Sequence, residues 1–198
     1  LMHPYVLESK ERTNVIFLLL VFGGAGALLC HWLLGLLGVT DLPWYIETPS
    51  PLAIYGLAYA AFNRWIWKTG ICRLTGLVKT PDLGGEWKGR ICSFGSLGSE
   101  RDIVLTIRQT WTAICISLQT DDSRSTSNIA AITDTGPGET TLIYTYLNEP
   151  RSSAVETMHI HRGTAWLEVK DGGRLLEGED YTGRDRVTYG AIRVSRIS

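Results

Sequence analysis

Two short stretches carry residue types suited to holding a phosphorylated ligand. Tyr144–Arg151, YTYLNEPR, contains Tyr146, Asn148 and Arg151. Tyr181–Arg186, YTGRDR, sets Thr182, Arg184 and Arg186 around a glycine. A tyrosine ring can stack on a base, an asparagine amide can read a base edge, and a guanidinium can clamp a phosphate through paired hydrogen bonds. A pocket for a nucleotide-like ligand is one reading of these residues. The other is that the tyrosines belong to a core or rim, with the arginines solvated or paired with Asp180 and Asp185.

Residues for covalent or acid–base chemistry are sparse. There is no GxSxG, no HExxH and no P-loop. His159 and His161 alternate in MHIHRG and could share a metal. No third ligand stands at a supporting spacing, which favours a polar strand face. The acids are dispersed and form no evident carboxylate pair. The chain therefore reads as a non-enzyme, with no catalytic residue, metal or cofactor.

The elements that would position these side chains lie in the C-terminal half. From Asp82 onward, short runs of alternating apolar and polar residues are separated by turn signals. Examples are EWKGRICS (Glu86–Ser93), TLIYTYL (Thr141–Leu147) and GTAWLEV (Gly163–Val169). KDGG (Lys170–Gly173) reads as a hairpin turn with glycine where positive φ is needed. The long β-branched run Ile103–Leu118 joins this set. Strands at such spacing predict a sandwich or a barrel with one buried face.

The N-terminal part has a different physical character. Val15–Val39 contains no charged residue. It exceeds the roughly 20 apolar residues that a helix needs to cross a bilayer. It is too long for the apolar region of a signal peptide, and no small-residue cleavage site follows it. Pro51–Trp67 is a second candidate span, with Arg64 able to snorkel and Trp65, Trp67 and Lys68 as an interfacial anchor. The Thr40–Ser50 turn has no Lys or Arg while both outer flanks do, so the positive-inside rule places both termini in the cytoplasm. Gly23, Gly24 and Ala27 in the first span, and Gly56 and Ala60 in the second, are small residues that allow close helix approach. They are candidate oligomerisation positions. The resulting organisation is an N-terminus at 1–14, a two-span region at 15–67, a linker at 68–81 and a cytoplasmic β domain at 82–198.

Charge narrows the partners. Residues 82–198 carry thirteen Lys/Arg against sixteen acids. That balance does not suit a DNA- or RNA-binding face, although a few local arginines could still hold a small anion. Cys30, Cys72, Cys92 and Cys115 match neither a disulfide framework nor a metal motif, as expected of free thiols in a reducing cytosol.

The order of PDLGGEWKG, YLNEP, HRGTA and YTGRDR behind two apolar segments resembles the membrane-anchored β-barrel effectors of bacterial CBASS anti-phage systems. These are CD-NTase-associated effectors with two transmembrane helices and a β-strand-rich domain. The resemblance covers nearly the whole chain. It implies an inner-membrane protein with a small antiparallel barrel of about eight strands, which binds a cyclic dinucleotide made by a partner cyclase. Ligand binding would drive homo-oligomerisation, loss of membrane integrity and abortive infection. The positions carried over are Tyr144–Pro150, Gly163–Thr164 and Tyr181–Arg186. Two rival readings are a tethered lipocalin-like module with a wholly apolar cavity, and a membrane-associated hydrolase with a convergent nucleophile and base.

Overall fold

The computed structural model describes residues 1–7, 9–38, 43, 50–94, 99–136, 139–155, 159–183 and 188–197. The chain divides into two compact units. One is Ser9–Lys79, and the other joins Leu1–Glu8 to Thr80–Ser198.

The second unit is a β domain of nine strands. They are β1 (His3–Leu7), β2 (Gly85–Phe94), β3 (Ser99–Gln109), β4 (Ala113–Gln119), β5 (Ser123–Gly136), β6 (Glu139–Pro150), β7 (His161–Lys170), β8 (Leu175–Thr182) and β9 (Tyr189–Arg196). Their order is β1-β4-β3-β2-β9-β8-β7-β6-β5, and the sheet closes into a barrel because β4 also pairs directly with β5. Every pairing is antiparallel except β1 with β5. A ring of strands has no free edge, which removes the usual liability of an exposed ladder.

Strand β1 comes from a stretch that sequence reading sets apart from the β domain. His3 and Pro4 pair with Ile114 and Ala113 of β4, while Tyr5, Val6 and Leu7 pair in parallel with Ala130, Ala131 and Ile132 of β5. The strand wedges between β4 and β5 where these diverge. Their direct pairing covers only Ser117–Gln119 against Arg124–Thr126. Pro4 is tolerated at the start of so short a strand, where few ladder bonds are lost.

Period-2 alternation sends one set of side chains inward. Trp87, Leu105, Ile107, Ile132, Leu142 and Leu167 fill one half of the barrel and are almost wholly buried. The end of this apolar half is closed. Tyr5 donates its hydroxyl to the Trp111 carbonyl at 2.8 Å, and the Gln109 amide oxygen accepts the Leu83 N–H at 2.8 Å. Gln109 Nε2 also donates to the Pro81 carbonyl at 3.2 Å. The run Ile103–Leu118 proves to be two strands, turned at Thr110–Thr112 by the bond from Thr110 N–H to the Ala113 carbonyl. The KDGG turn behaves as expected, with positive φ at Asp171, Gly172 and Gly173.

The first unit holds α1 (Glu11–Leu36), α2 (Ser50–Arg64), a 3-10 turn at Ile66–Lys68 and α3 (Gly70–Leu74). At 26 residues and a mean hydropathy of 2.1 over its best window, α1 is long and apolar enough to cross a membrane. It is the single helix of that kind among the described residues. α2 has 15 residues, about 22 Å of helix at 1.5 Å per residue, short of a bilayer core of about 30 Å. The buried residues of α1 are Glu11, Val15, Leu19 and Gly23, a ridge at intervals of four. α1 meets α2 at Gly23, where an added Cβ would lie 3.1 Å from Tyr55 Cβ and 3.2 Å from the Pro51 carbonyl. Gly24 and Gly56 face open space, Ala27 is half-buried and Ala60 is exposed. Within this unit Glu11 accepts the Lys79 backbone N–H at 2.8 Å.

Candidate ligand-binding site

The apolar filling does not reach the other end of the barrel. Where β2, β4, β6 and β8 finish and their partners begin, the inward positions turn polar and leave a small pocket that opens to solvent. Its walls include Arg101, Ser125, Tyr144, Tyr146, Asn148, His161, Asp180 and Thr182.

Strand β6 provides the floor and one wall. Alternation points Tyr144, Tyr146 and Asn148 inward, at 2 %, 7 % and 4 % exposure. Opposite Tyr146 on β7 stands Gly163, and opposite Asn148 stands His161. The glycine is required by close approach, since a Cβ there would lie 2.2 Å from the Tyr146 hydroxyl oxygen. The ring therefore lies across β7 toward β8, and its hydroxyl donates to Asp180 Oδ1 at 2.7 Å. Asn148 is oriented by Ser125 of β5, whose hydroxyl donates to its Oδ1 at 2.8 Å.

Burial, and then the negative charge of Asp180, pushes the Tyr144 hydroxyl above the ordinary tyrosine range, so it stays protonated. His161 Nδ1 lies 2.9 Å from the His159 carbonyl. A carbonyl only accepts, so Nδ1 carries the proton of that bond. On the β3 side, Arg101 is held by Asp122 at 2.8 Å.

Thr182 and Thr188 close the rim. The Thr188 N–H donates to Thr182 Oγ1 at 2.7 Å, and the Thr182 N–H donates to the Thr188 carbonyl at 2.9 Å. Both threonines line the pocket.

Of the six residues singled out from sequence, the structure brings Tyr146, Asn148 and Thr182 into one pocket. Arg184 and Arg186 lie outside the described residues. Arg151 is exposed and lines a groove on the outer wall with Lys88, Arg90 and Asp102. It follows Pro150 at the strand end, where alternation no longer holds its side chain inward. Sequence reading missed Arg101 and Ser125 as wall residues, and it held Tyr144 only as the first residue of the carried-over stretch Tyr144–Pro150. It took His161 only as part of a histidine pair and Asp180 only as a counter-ion. Inward parity on their strands was the available signal.

The polar lining departs from the wholly apolar cavity of a lipocalin-like carrier. Among the described residues, the lining sets no nucleophile against a base. Ser125 donates to an amide, and His161 is engaged by a backbone carbonyl.

Comparison with known proteins agrees with this geometry. Residues 78–196 match the family described as Cap15, cyclic dinucleotide receptor domain. CD-NTase-associated protein 15 of Yersinia aleksiciae is 30% identical over 177 residues, covering 81% of this chain and 82% of that protein. CD-NTase-associated protein 15 of Staphylococcus schleiferi is 27% identical over 185 residues, covering 93% of this chain and 91% of its own length. The family match covers more than half of the chain and contains the pocket residues, the Yersinia aleksiciae relative reaches 30% identity over most of both chains, and on that ground the chain belongs to the Cap15 family of CBASS effectors, with residues 78–196 as its receptor domain.

Proposed function

We propose that the barrel senses a cyclic dinucleotide released by a partner cyclase, and that occupancy drives oligomerisation of a two-span membrane region, disruption of the inner membrane and abortive infection. The observation that carries this reading is the polar pocket at one end of an otherwise apolar barrel, inside the matched receptor domain. Tyr146 and Asn148 supply a ring and an amide for the bases, and Thr182 assists at the rim. Arg184 and Arg186, which fall between Thr182 and Thr188 in the sequence, clamp the phosphates together with Arg101 of the pocket wall.

Connectivity supports the two-span topology independently of loop charge. Residues on both sides of the Ser9–Lys79 unit build the same barrel. A folded barrel lies on one side of a membrane, so the chain between its parts crosses an even number of times. With α1 as one crossing, the return falls between Leu37 and Gly85, and α2 is its core. Both termini then share the cytoplasm with the cyclase.

The test uses the full chain in nanodiscs and a panel of cyclic dinucleotides. Wild type binds at least one member. Arg184→Ala weakens that binding about 10- to 150-fold, the effect of losing a charge-assisted bond of about 1.5–3 kcal/mol. Absence of binding across the panel would refute the sensor reading. Unchanged affinity in both Arg184→Ala and Arg186→Ala would refute the phosphate assignment.

A further inference from the structure

The chain after α2 inverts the usual pattern of a soluble surface. In α3, Cys72 is buried while Ile71 and Leu74, which share a face, are 75 % and 89 % exposed. Trp65 and Ile66 are exposed as well, whereas Trp67 is buried and takes no part in an outer surface. Around these apolar groups, residues 64–79 place Arg64, Lys68, Arg73 and Lys79, with no acid. Exposed apolar side chains set among cations alone suit an interface with anionic lipid better than one with water.

This segment returns to the foot of α1. Gly76, at φ 68°, reverses the chain after α3, and the Lys79 backbone N–H then donates to Glu11 Oε2 at 2.8 Å. A groove lies between the two stretches, within the Ser9–Lys79 unit. One wall is Lys10, Asn14 and Leu18, spaced by four so that they share a face, and all three are exposed. It runs from a cation through an amide to an apolar side chain over about 12 Å, eight residues at about 1.5 Å each. The other wall supplies a second cation in Lys79 and a second apolar group in Leu77. Glu11 is the acid of this lining, but it is 5 % exposed and its Oε2 is taken by the Lys79 N–H, so it ties the walls together. A phospholipid presents the same order of chemistry as the first wall: a charged phosphate, polar ester groups, then acyl chain.

We propose that this groove seats the headgroup of an anionic phospholipid, with Lys10 and Lys79 on the phosphate and Leu18 and Leu77 along the acyl chains. Trp65, Ile71 and Leu74 enter the same leaflet. A zwitterionic headgroup brings its own cation toward the two lysines and is held less well. The inference rests on α1 lying in a membrane and is independent of what the barrel binds.

The experiment reconstitutes the full chain in nanodiscs of equal parts phosphatidylcholine and phosphatidylglycerol. The chain is released in mild detergent, and the lipids it retains are identified by native mass spectrometry. Wild type retains phosphatidylglycerol over phosphatidylcholine by about 10- to 30-fold, the scale set by two cations beside an anionic headgroup. Lys10→Gln combined with Lys79→Gln abolishes that preference. The tie to Glu11 comes from the residue 79 backbone and survives the change, so the variant keeps its fold. Lys10→Arg combined with Lys79→Arg retains the preference. Lys88→Gln combined with Arg174→Gln removes the same charge from exposed positions of the barrel and leaves the preference intact. Equal retention of both lipids by wild type overturns the inference. An equal loss in the groove and barrel variants also overturns it, because net charge and not the groove would then select the lipid. Neither result touches the sensor, which is read in parallel by cyclic dinucleotide binding to the same sample. A chain that never enters the nanodiscs refutes the membrane reading of α1 and this inference together.

Discussion

Gly163→Ala is the most informative single substitution in the barrel. Its Cβ would lie 2.2 Å from the Tyr146 hydroxyl oxygen, 2.4 Å from Cζ and 2.8 Å from the Tyr181 carbonyl oxygen. Ordinary carbon contacts lie at about 3.5–4.0 Å, so the ring must move by more than about 1 Å. That displacement breaks the 2.7 Å bond to Asp180. Loss of a bond to a charged acceptor costs about 1.5–3 kcal/mol, and overpacking adds about 1–3 kcal/mol. The expected destabilisation is about 2.5–6 kcal/mol, with loss of ligand affinity because the floor of the pocket is displaced. The assay is urea unfolding of the full chain in detergent, followed by fluorescence of the buried Trp87 and Trp111. Tyr146→Ala removes both clashing atoms in advance, so Gly163→Ala should cost only about 1 kcal/mol in that background, the residue of the Tyr181 contact. Additivity of the two substitutions would refute the reasoning, because the cost would then come from the strand and not from the tyrosine.

Three further outcomes are expected. In a chain freed of its native cysteines, Thr48→Cys reacts with an impermeant thiol reagent from the periplasm and Asp171→Cys in the hairpin turn does not; the reverse would overturn the topology. Gly24→Leu and Gly56→Leu, whose positions face open space, leave ligand binding intact but abolish ligand-induced crosslinking in membranes. Gly23→Leu disrupts the α1–α2 contact itself and lowers the yield of folded chain. The Tyr144 hydroxyl ionises at higher pH when folded than when unfolded. Its contribution to stability is therefore complete below the unfolded value of about 10 and is lost as pH rises through the folded one. Stability above about pH 10 should fall more steeply in wild type than in Tyr144→Phe.

Legibility in the sequence followed the range of the interactions. The charge-free run became α1, and KDGG became a turn, because each is decided within one element. Tyr146 and Asn148 lie together in the pocket because alternation on a single strand puts them on the inner face. Arg151 lies outside it because the strand ends at Pro150 before reaching it. The run Ile103–Leu118 hid a turn because Trp111, apolar and fully buried, continues the hydrophobic pattern through it. Arg101 and Asp180 sit on β3 and β8, and only closure of the sheet places them on facing walls of one pocket. His3–Leu7 escaped notice altogether. Five residues with a proline show little periodicity, and their partners lie more than a hundred positions away, as in the 124-residue separation of His3 and Ser127.

That separation has a consequence for how the protein is made. Strand β1 leaves the ribosome before the rest of the barrel, and its partners β4 and β5 follow only after the whole Ser9–Lys79 unit. Closing so long a loop is entropically unfavourable, and non-local strand pairing is slow. The wall between β4 and β5 is therefore the last part of the barrel to be sealed. Until then, two strand edges lie open to pairing with a neighbouring chain. A fragment begun at residue 78, where the receptor-domain match starts, never acquires β1 and keeps that seam open permanently. Such a fragment should self-associate through the seam with no ligand present, and supplying residues 1–7 at its N-terminus should suppress this.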